Sequence, residues 1–194
     1  MKEKILREFR DSIETKEKFV QGHVETIEEV SKAIAAAFNE GNKVILFGNG
    51  GSSTDASHIA AEFVVRFKRE RPGLPAISLA TDMAVVTAIA NDYDYSEVFA
   101  RQLKSLSTEG DIVIALSTSG QSPNILKALE VAKKKKLKTV FLTGLKGEKA
   151  AAKATYSFVV PSDNTPRVQE THITLGHVLC LMVEEILFEQ PRKK

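Results

Sequence analysis

Short apolar runs alternate with segments of helical spacing from about residue 40 to the end of the chain, and few folds accommodate that alternation. The run 43–47, Lys-Val-Ile-Leu-Phe, leads into Gly48-Asn-Gly-Gly-Ser52 and then an Ala-rich stretch, 55–67, with helical spacing. Residues 76–80, 111–116, 139–143 and 156–160 read as four further strands. Helices are expected over 83–90, from a Ser96 cap toward Leu106, over about 123–136, and from about Pro166 or Arg167 to Phe188. Each crossover lays a helix against the sheet. The pattern therefore predicts an α/β fold, an open parallel sheet of five strands with helices on both faces.

Ahead of the first strand, Ile5, Phe9, Ile13, Val20, Val24, Ile27, Val30, Ile34 and Phe38 recur at three-to-four spacing, which predicts one or two amphipathic helices stopped by Glu40-Gly41-Asn42. No linker, repeat or low-complexity tract divides the chain. It reads as a single domain over 1–194, with 1–40 as a helical extension, packed on the sheet or on a second subunit, and 41–194 as the α/β core.

The 194 residues carry 27 Lys+Arg against 25 Asp+Glu and are 43% hydrophobic, a balance that excludes fibrous and disordered chains. A net charge of +2 argues against nucleic acid as a partner. The locally basic segments 133–136 and 66–71 read as solvated helix ends. No run approaches the roughly 18 uninterrupted apolar residues of a spanning helix, and the charged N-terminus has no secretory apolar core, so no membrane and a cytoplasmic location are expected. The lone Cys180 has no cysteine to pair with and is expected to pack in the core.

Two turns each follow a buried strand and open a helix, so both belong at the carboxyl edge of the sheet, where such folds bind ligands. Gly48, Gly50 and Gly51 let backbone N–H groups approach a ligand closely. Ser117, Thr118, Ser119 and Ser122 set hydroxyls beside the positive end of a helix. Together the turns describe a phosphate and polyol pocket. The first lacks the Lys of a P-loop, and as a dinucleotide fingerprint it has Ser53 where the last Gly belongs.

His58 and Glu62, four residues apart, stand about 40° apart on their helix. That spacing serves a metal or acid/base pair, and equally an exposed polar pair. On the last helix, His172 and His177 stand about 140° apart and should not share a ligand, whereas Gln169 and His177 differ by about 80° but lie about 12 Å apart along the axis. His177 is the better candidate, and both reach one ion only by leaning toward each other. His23 has no evident partner and reads as a helix-surface residue.

At this point the chain resembles the sugar isomerase (SIS) domain family, and within it the phosphoheptose isomerases. The resemblance runs through Gly48-Asn-Gly-Gly-Ser52, Asp55-Ala-Ser-His58, Ala61-Glu62, Arg71-Pro72-Gly73, Ala90-Asn-Asp92, Ser117-Thr-Ser-Gly120 and Arg167-Val-Gln-Glu170 followed by His177. It implies a flavodoxin-like sheet, a homotetramer with active sites between subunits, zinc, and aldose-ketose isomerisation of sedoheptulose 7-phosphate to D-glycero-D-manno-heptose 7-phosphate. By the same resemblance His58, Glu62, Gln169 and His177 surround the metal, with Glu62 and His177 as the acid/base pair. Asn49, Gly50, Gly51, Ser52, Asn91, Asp92, Ser117, Thr118, Ser119, Ser122, Glu62 and Gln169 hold the sugar phosphate. An acid that some members carry just before the Arg-x-Gln-Glu segment is here Pro166, so its role is not carried over.

Two other readings compete. A non-enzymatic paralogue of the same fold binds the bacterial replication initiator and needs neither Glu62 nor His177. An isomerase for another sugar phosphate shares the fold and the phosphate loops, though such enzymes usually carry extra domains.

Overall fold

In the computed structural model, which describes residues 1–188, two helices, α1 (Lys2–Gln21) and α2 (Val24–Asn39), precede a parallel α/β unit. That unit runs β1 (Val44–Gly48), α3 (Gly51–Val64), β2 (Ala76–Ser78), α4 (Met83–Asp92), α5 (Val98–Leu106), β3 (Ile112–Ser117) and α6 (Pro123–Lys134). It continues with β4 (Lys138–Gly144), α7 (Glu148–Ala151), β5 (Tyr156–Val160) and α8 (Thr165–Phe188). All strand pairs are parallel and the sheet order is β2-β1-β3-β4-β5. This is the flavodoxin-like order, whose direction reverses between β1 and β3.

The central strands are buried on both sides, which explains their unbroken apolar sequence. Val44 and Leu46 of β1 join Ile112, Ile114 and Leu116 of β3 under α2, α3 and α8. Ile45 and Phe47, with Val113 and Ala115, pack under α5, α6 and α7 on the other face. The residue period of two thus divides each strand between two cores. Of the N-terminal extension, α2 covers the first core through Ile27, Val30, Ile34 and Phe38, and α1 adds Phe19. The earlier part of α1 leaves Ile5, Leu6, Phe9 and Ile13 exposed.

By length and composition α8 could cross a membrane. Its apolar side, Val168, Leu175, Leu179 and Val183, instead closes the first core. Cys180 is buried there as expected, and burial pushes its thiol up to about 12.

Several local expectations change. The helix expected over 55–67 begins at Gly51 and ends at Val64, because the Arg71 guanidinium takes its last carbonyls, donating to Phe63 O at 2.8 Å and Glu62 O at 2.9 Å. Arg71 is therefore no solvated helix end; it is 8% exposed and paired with Glu184 of α8 at 2.9 Å. The turn before α5 is capped by Asp94, whose carboxylate accepts the Ser96 N–H at 2.8 Å, so Ser96 is not the cap. His23 does not simply face solvent; its ring stacks on Phe19 at 4.4 Å and its Nδ1 lies 2.7 Å from Phe19 O. The strand expected over 76–80 spans Ala76–Ser78, with Leu79 N–H still bonded to Leu46 O.

His172 is fully buried on α8, and among the described residues neither ring nitrogen has a partner at full hydrogen-bond geometry, the Thr143 backbone lying nearest to that role. Burial lowers its pKa from 6.5 to about 4, with the Thr143 backbone acting weakly the other way. Between those values the unfolded chain takes up a proton that the folded chain refuses. Stability present at neutral pH is therefore lost as pH falls through that window, by about 3 kcal/mol in all. Urea unfolding at pH 7 and pH 4.5 should show wild type losing about 2 to 3 kcal/mol more than His172→Leu over that interval; equal losses would place the acid sensitivity elsewhere.

Candidate active site

Pairing of β1 with β3 sets Gly48 opposite Leu116, so the turns that follow them emerge side by side. Gly50 has φ +53° and ψ −125°, a conformation that a side chain would strain. A Cβ on Gly51 would stand 2.4 Å from Gln169 Nε2. These glycines bring the N-terminus of α3 and the Gln169 amide together. Across from them, Ser122 precedes α6 without a side-chain capping bond, leaving the first N–H groups of that helix unclaimed by it.

Asn49, Ser52, Ser117, Thr118, Ser119, Ser122 and Gln169 line a polar cavity of about 70 Å³ between the turns. Two helix N-termini border it, and their partial positive charge suits an anion the size of a phosphate group. The serine turn is held by its own bonds, the Gly120 N–H donating to Ser117 Oγ at 3.1 Å and Gly144 N–H to Thr118 O at 3.1 Å.

Beyond the first turn of α3, His58 Nε2 lies 3.0 Å from Glu62 Oε1, as their helical spacing allows. His177 of α8 joins them, its Nε2 3.4 Å from His58 Nε2. All three donor atoms lie within 4.8 Å of one another. A tetrahedral ion with bonds of about 2.0 to 2.2 Å sets its ligands about 3.4 Å apart, so this donor set and spacing fit zinc. Gln169 lies over Gly51 on the wall of the polar cavity, and His177 turns to His58.

Asn91 and Asp92 are exposed at the end of α4, bonded to each other at 2.9 Å, and do not line the polar cavity.

Four further residues shape the site without having stood out individually in the sequence. Asp55, one turn before His58, buries a carboxylate oxygen that has no partner among the described residues. Burial raises its pKa against the opposing pull of His58 and His177. Asn124 exchanges two amide hydrogen bonds with Asn49, at 2.9 and 2.8 Å, and Tyr95 donates its hydroxyl to Asn49 Oδ1 at 3.1 Å. Phe67 stacks on the His177 ring, with centroids 5.7 Å apart. Asp55 had a signal in its motif, three residues before His58; the others are tertiary contacts that periodicity does not encode.

Comparison with known proteins shows the family. The SIS domain model matches residues 8–144. The phosphoheptose isomerase of Thermodesulfovibrio yellowstonii is 61% identical over 194 residues, covering 100% of this chain and 96% of that protein. That of Aquifex aeolicus is 50% identical, covering 98% and 100%. The structure of phosphoheptose isomerase GmhA from Neisseria gonorrhoeae superposes with a TM-score of 0.88 at 34% identity, covering 95% of this chain and 98% of that one. A phosphoheptose isomerase from Francisella tularensis gives 0.88 at 36%, covering 94% and 97%. With a polar cavity at the strand switch, a carboxylate and two imidazoles gathered in one cluster, and identity of this extent along the whole chain, the protein belongs to the SIS domain family, among its phosphoheptose isomerases.

Proposed function

We propose that the protein converts sedoheptulose 7-phosphate to D-glycero-D-manno-heptose 7-phosphate, the first step toward nucleotide-activated heptose. The observation that carries this reading is the meeting of His58 and Glu62, on the helix that begins at the glycine turn, with His177 of α8. Relatives of this chain at up to 61% identity bear the name phosphoheptose isomerase, which favours that substrate over another sugar phosphate and over a binding role toward the replication initiator.

Isomerisation breaks a C–H bond at C1 and forms one at C2, while a hydroxyl proton passes from O1 to O2. The electrons stay within the substrate, so no redox partner is needed. Glu62 and His177 are the acid/base groups that carry the carbon-bound proton through a cis-enediol. His58, Glu62 and His177, with the Gln169 amide as the fourth donor that the family resemblance implies, would hold zinc, which when bound would supply positive charge to stabilise the enediol. One atom cannot bind the ion and carry the proton at once, so Glu62, through movement of its carboxylate, and His177 would act as acid or base only when free of it. Ser117, Thr118, Ser119 and Ser122 take the phosphate with the helix N-termini. Asn49, Gly50, Gly51, Ser52 and Gln169 meet the sugar hydroxyls; Asn91 and Asp92, which lie outside the cavity, are assigned to the sugar by the family resemblance alone.

The assembly is a cytoplasmic homotetramer with active sites at subunit boundaries. Support comes from the exposed stripe Ile5, Leu6, Phe9 and Ile13, from the apolar α4, none of whose residues is fully buried, and from an apolar groove of about 490 Å³ between α2 and α8. Light scattering should give several times the 21.3 kDa chain mass; a monomer would remove the shared sites.

Conversion of sedoheptulose 7-phosphate, followed by NMR with zinc and with chelator, tests the reaction. Zinc-supported turnover is expected, with kcat lower by about 10² to 10⁴ in Glu62→Gln, the usual worth of one acid/base group. Full activity in metal-stripped protein would take the ion out of the mechanism, and a folded wild type without turnover would overturn the substrate assignment.

A further inference from the structure

We infer that the buried Arg71–Glu184 pair, with Phe67, is a positioning device that fixes the distance and orientation between Glu62 and His177. Resting on the acid/base roles proposed above, it concerns three residues that touch no reacting atom.

Glu62 and His177 sit on different helices, so something must hold α3 and α8 in one relation. The end of α3 is where this is settled. Glu62 lies two residues before the last residue of that helix, and its own carbonyl and that of Phe63 are among the helix's orphan acceptors. Arg71 satisfies both, at 2.9 and 2.8 Å, and a third bond runs from its Nη1 to Pro72 O at 3.1 Å. Its Nε then donates to Glu184 Oε2 at 2.9 Å. The side chains of Arg71 and Glu184 are 1% and 0% exposed, so water does not compete for either.

Glu184 is seven residues beyond His177 on α8, hence about 20° from the same stripe and about 10 Å along the axis. The guanidinium therefore bonds the backbone of Glu62 on one side and the His177 face of α8 on the other. Glu184 also accepts the N–H groups of Phe67, Lys68 and Arg69, at 3.2, 3.0 and 2.7 Å. With four donors on one carboxylate, the loop after α3 is clamped to α8, and Phe67 at its head stacks on the imidazole of His177. One buried carboxylate thus fixes both the helix bearing the first acid/base group and the ring wall of the second.

A buried ion pair is seldom the most stabilising way to fill such a space, since apolar residues of equal volume often do as well. What apolar residues cannot supply is a fork aimed at two carbonyls and a carboxylate in fixed directions. Lysine in place of Arg71 keeps the charge and loses the fork.

The test uses Arg71→Lys and Phe67→Leu in the full chain, with Glu70→Ala, a solvent-exposed change in the same loop, as control. Folding is checked by circular dichroism and thermal midpoint, kcat and KM with sedoheptulose 7-phosphate, and zinc affinity by competition with a chromophoric chelator without substrate. Folded variants should lose at least tenfold in kcat with KM within about twofold, and bind zinc at least tenfold more weakly, while the control matches wild type. Unchanged kcat and zinc affinity would overturn the inference, as would a loss confined to KM. If Arg71→Lys does not fold, Phe67→Leu decides, because its lost contact lies outside the ion pair. If wild type binds zinc but does not turn over the heptulose, the substrate assignment fails and the zinc affinities alone decide the positioning role. A wild type that does neither overturns both.

Discussion

Parallel pairing of β1 with β3 is the constraint on which the rest of the molecule depends. Neighbouring parallel strands end at the same edge, so whatever follows them is delivered to one place. Here the deliveries are a glycine turn whose backbone accommodates close approach and a serine turn rich in hydroxyls. The strand order departs to opposite sides at that point, and neither turn is covered by its own crossover. A polar cavity results without any excavation of the core. His58 and Glu62 follow because the helix that begins at the glycine turn carries them away from the edge on one face, and α8, crossing back over the same layer, meets them with His177.

Several buried polar groups in this apolar frame fall where elements must be joined in a fixed direction. Asp111 accepts the Lys43 and Thr108 N–H groups and the Lys43 ammonium, fixing the start of β3 beside β1. Burial opposes its ionisation, but those donors prevail and hold its carboxyl below the usual range. Glu184 follows the same balance, with Arg71 and three backbone donors outweighing burial. Arg167, 7% exposed, ties the start of α8 to α1 through Glu8 and Asp11 and bonds Glu170 on its own helix. Each of these is a seam between elements, and most of the apolar surface has no such directional requirement.

Much of this was legible in the sequence for a physical reason. A strand buried on both faces must be apolar throughout, and a helix over it must repeat near 3.6, so β1, β3 and β4 and their helices announce themselves. What the pattern cannot carry is who meets whom across distance. Arg71 read as a solvated basic residue because its charge was visible and Glu184, 113 positions later, was not evidently its partner. Ser96 and Asp94 both qualify as caps by type, and only the backbone path selects Asp94. His23 looked unpartnered because Phe19 and Phe158 reach it through the fold. Conversely, the His58–Glu62 spacing was ambiguous alone, and the approach of His177 is what distinguishes a cluster from an exposed pair. The short helix α7 was missed because four residues give no period to detect.

The sealed position of Cys180 turns the protein's only thiol into an internal clock. It lies in the first core, in α8 between His177 and Glu184, and burial keeps it protonated. Alkylating reagents attack the thiolate, so they reach it only when α8 lifts from the sheet or the chain unfolds. The rate at which the thiol is labelled therefore counts the openings of the helix that carries His177, with no label to engineer and no second cysteine to confuse the reading.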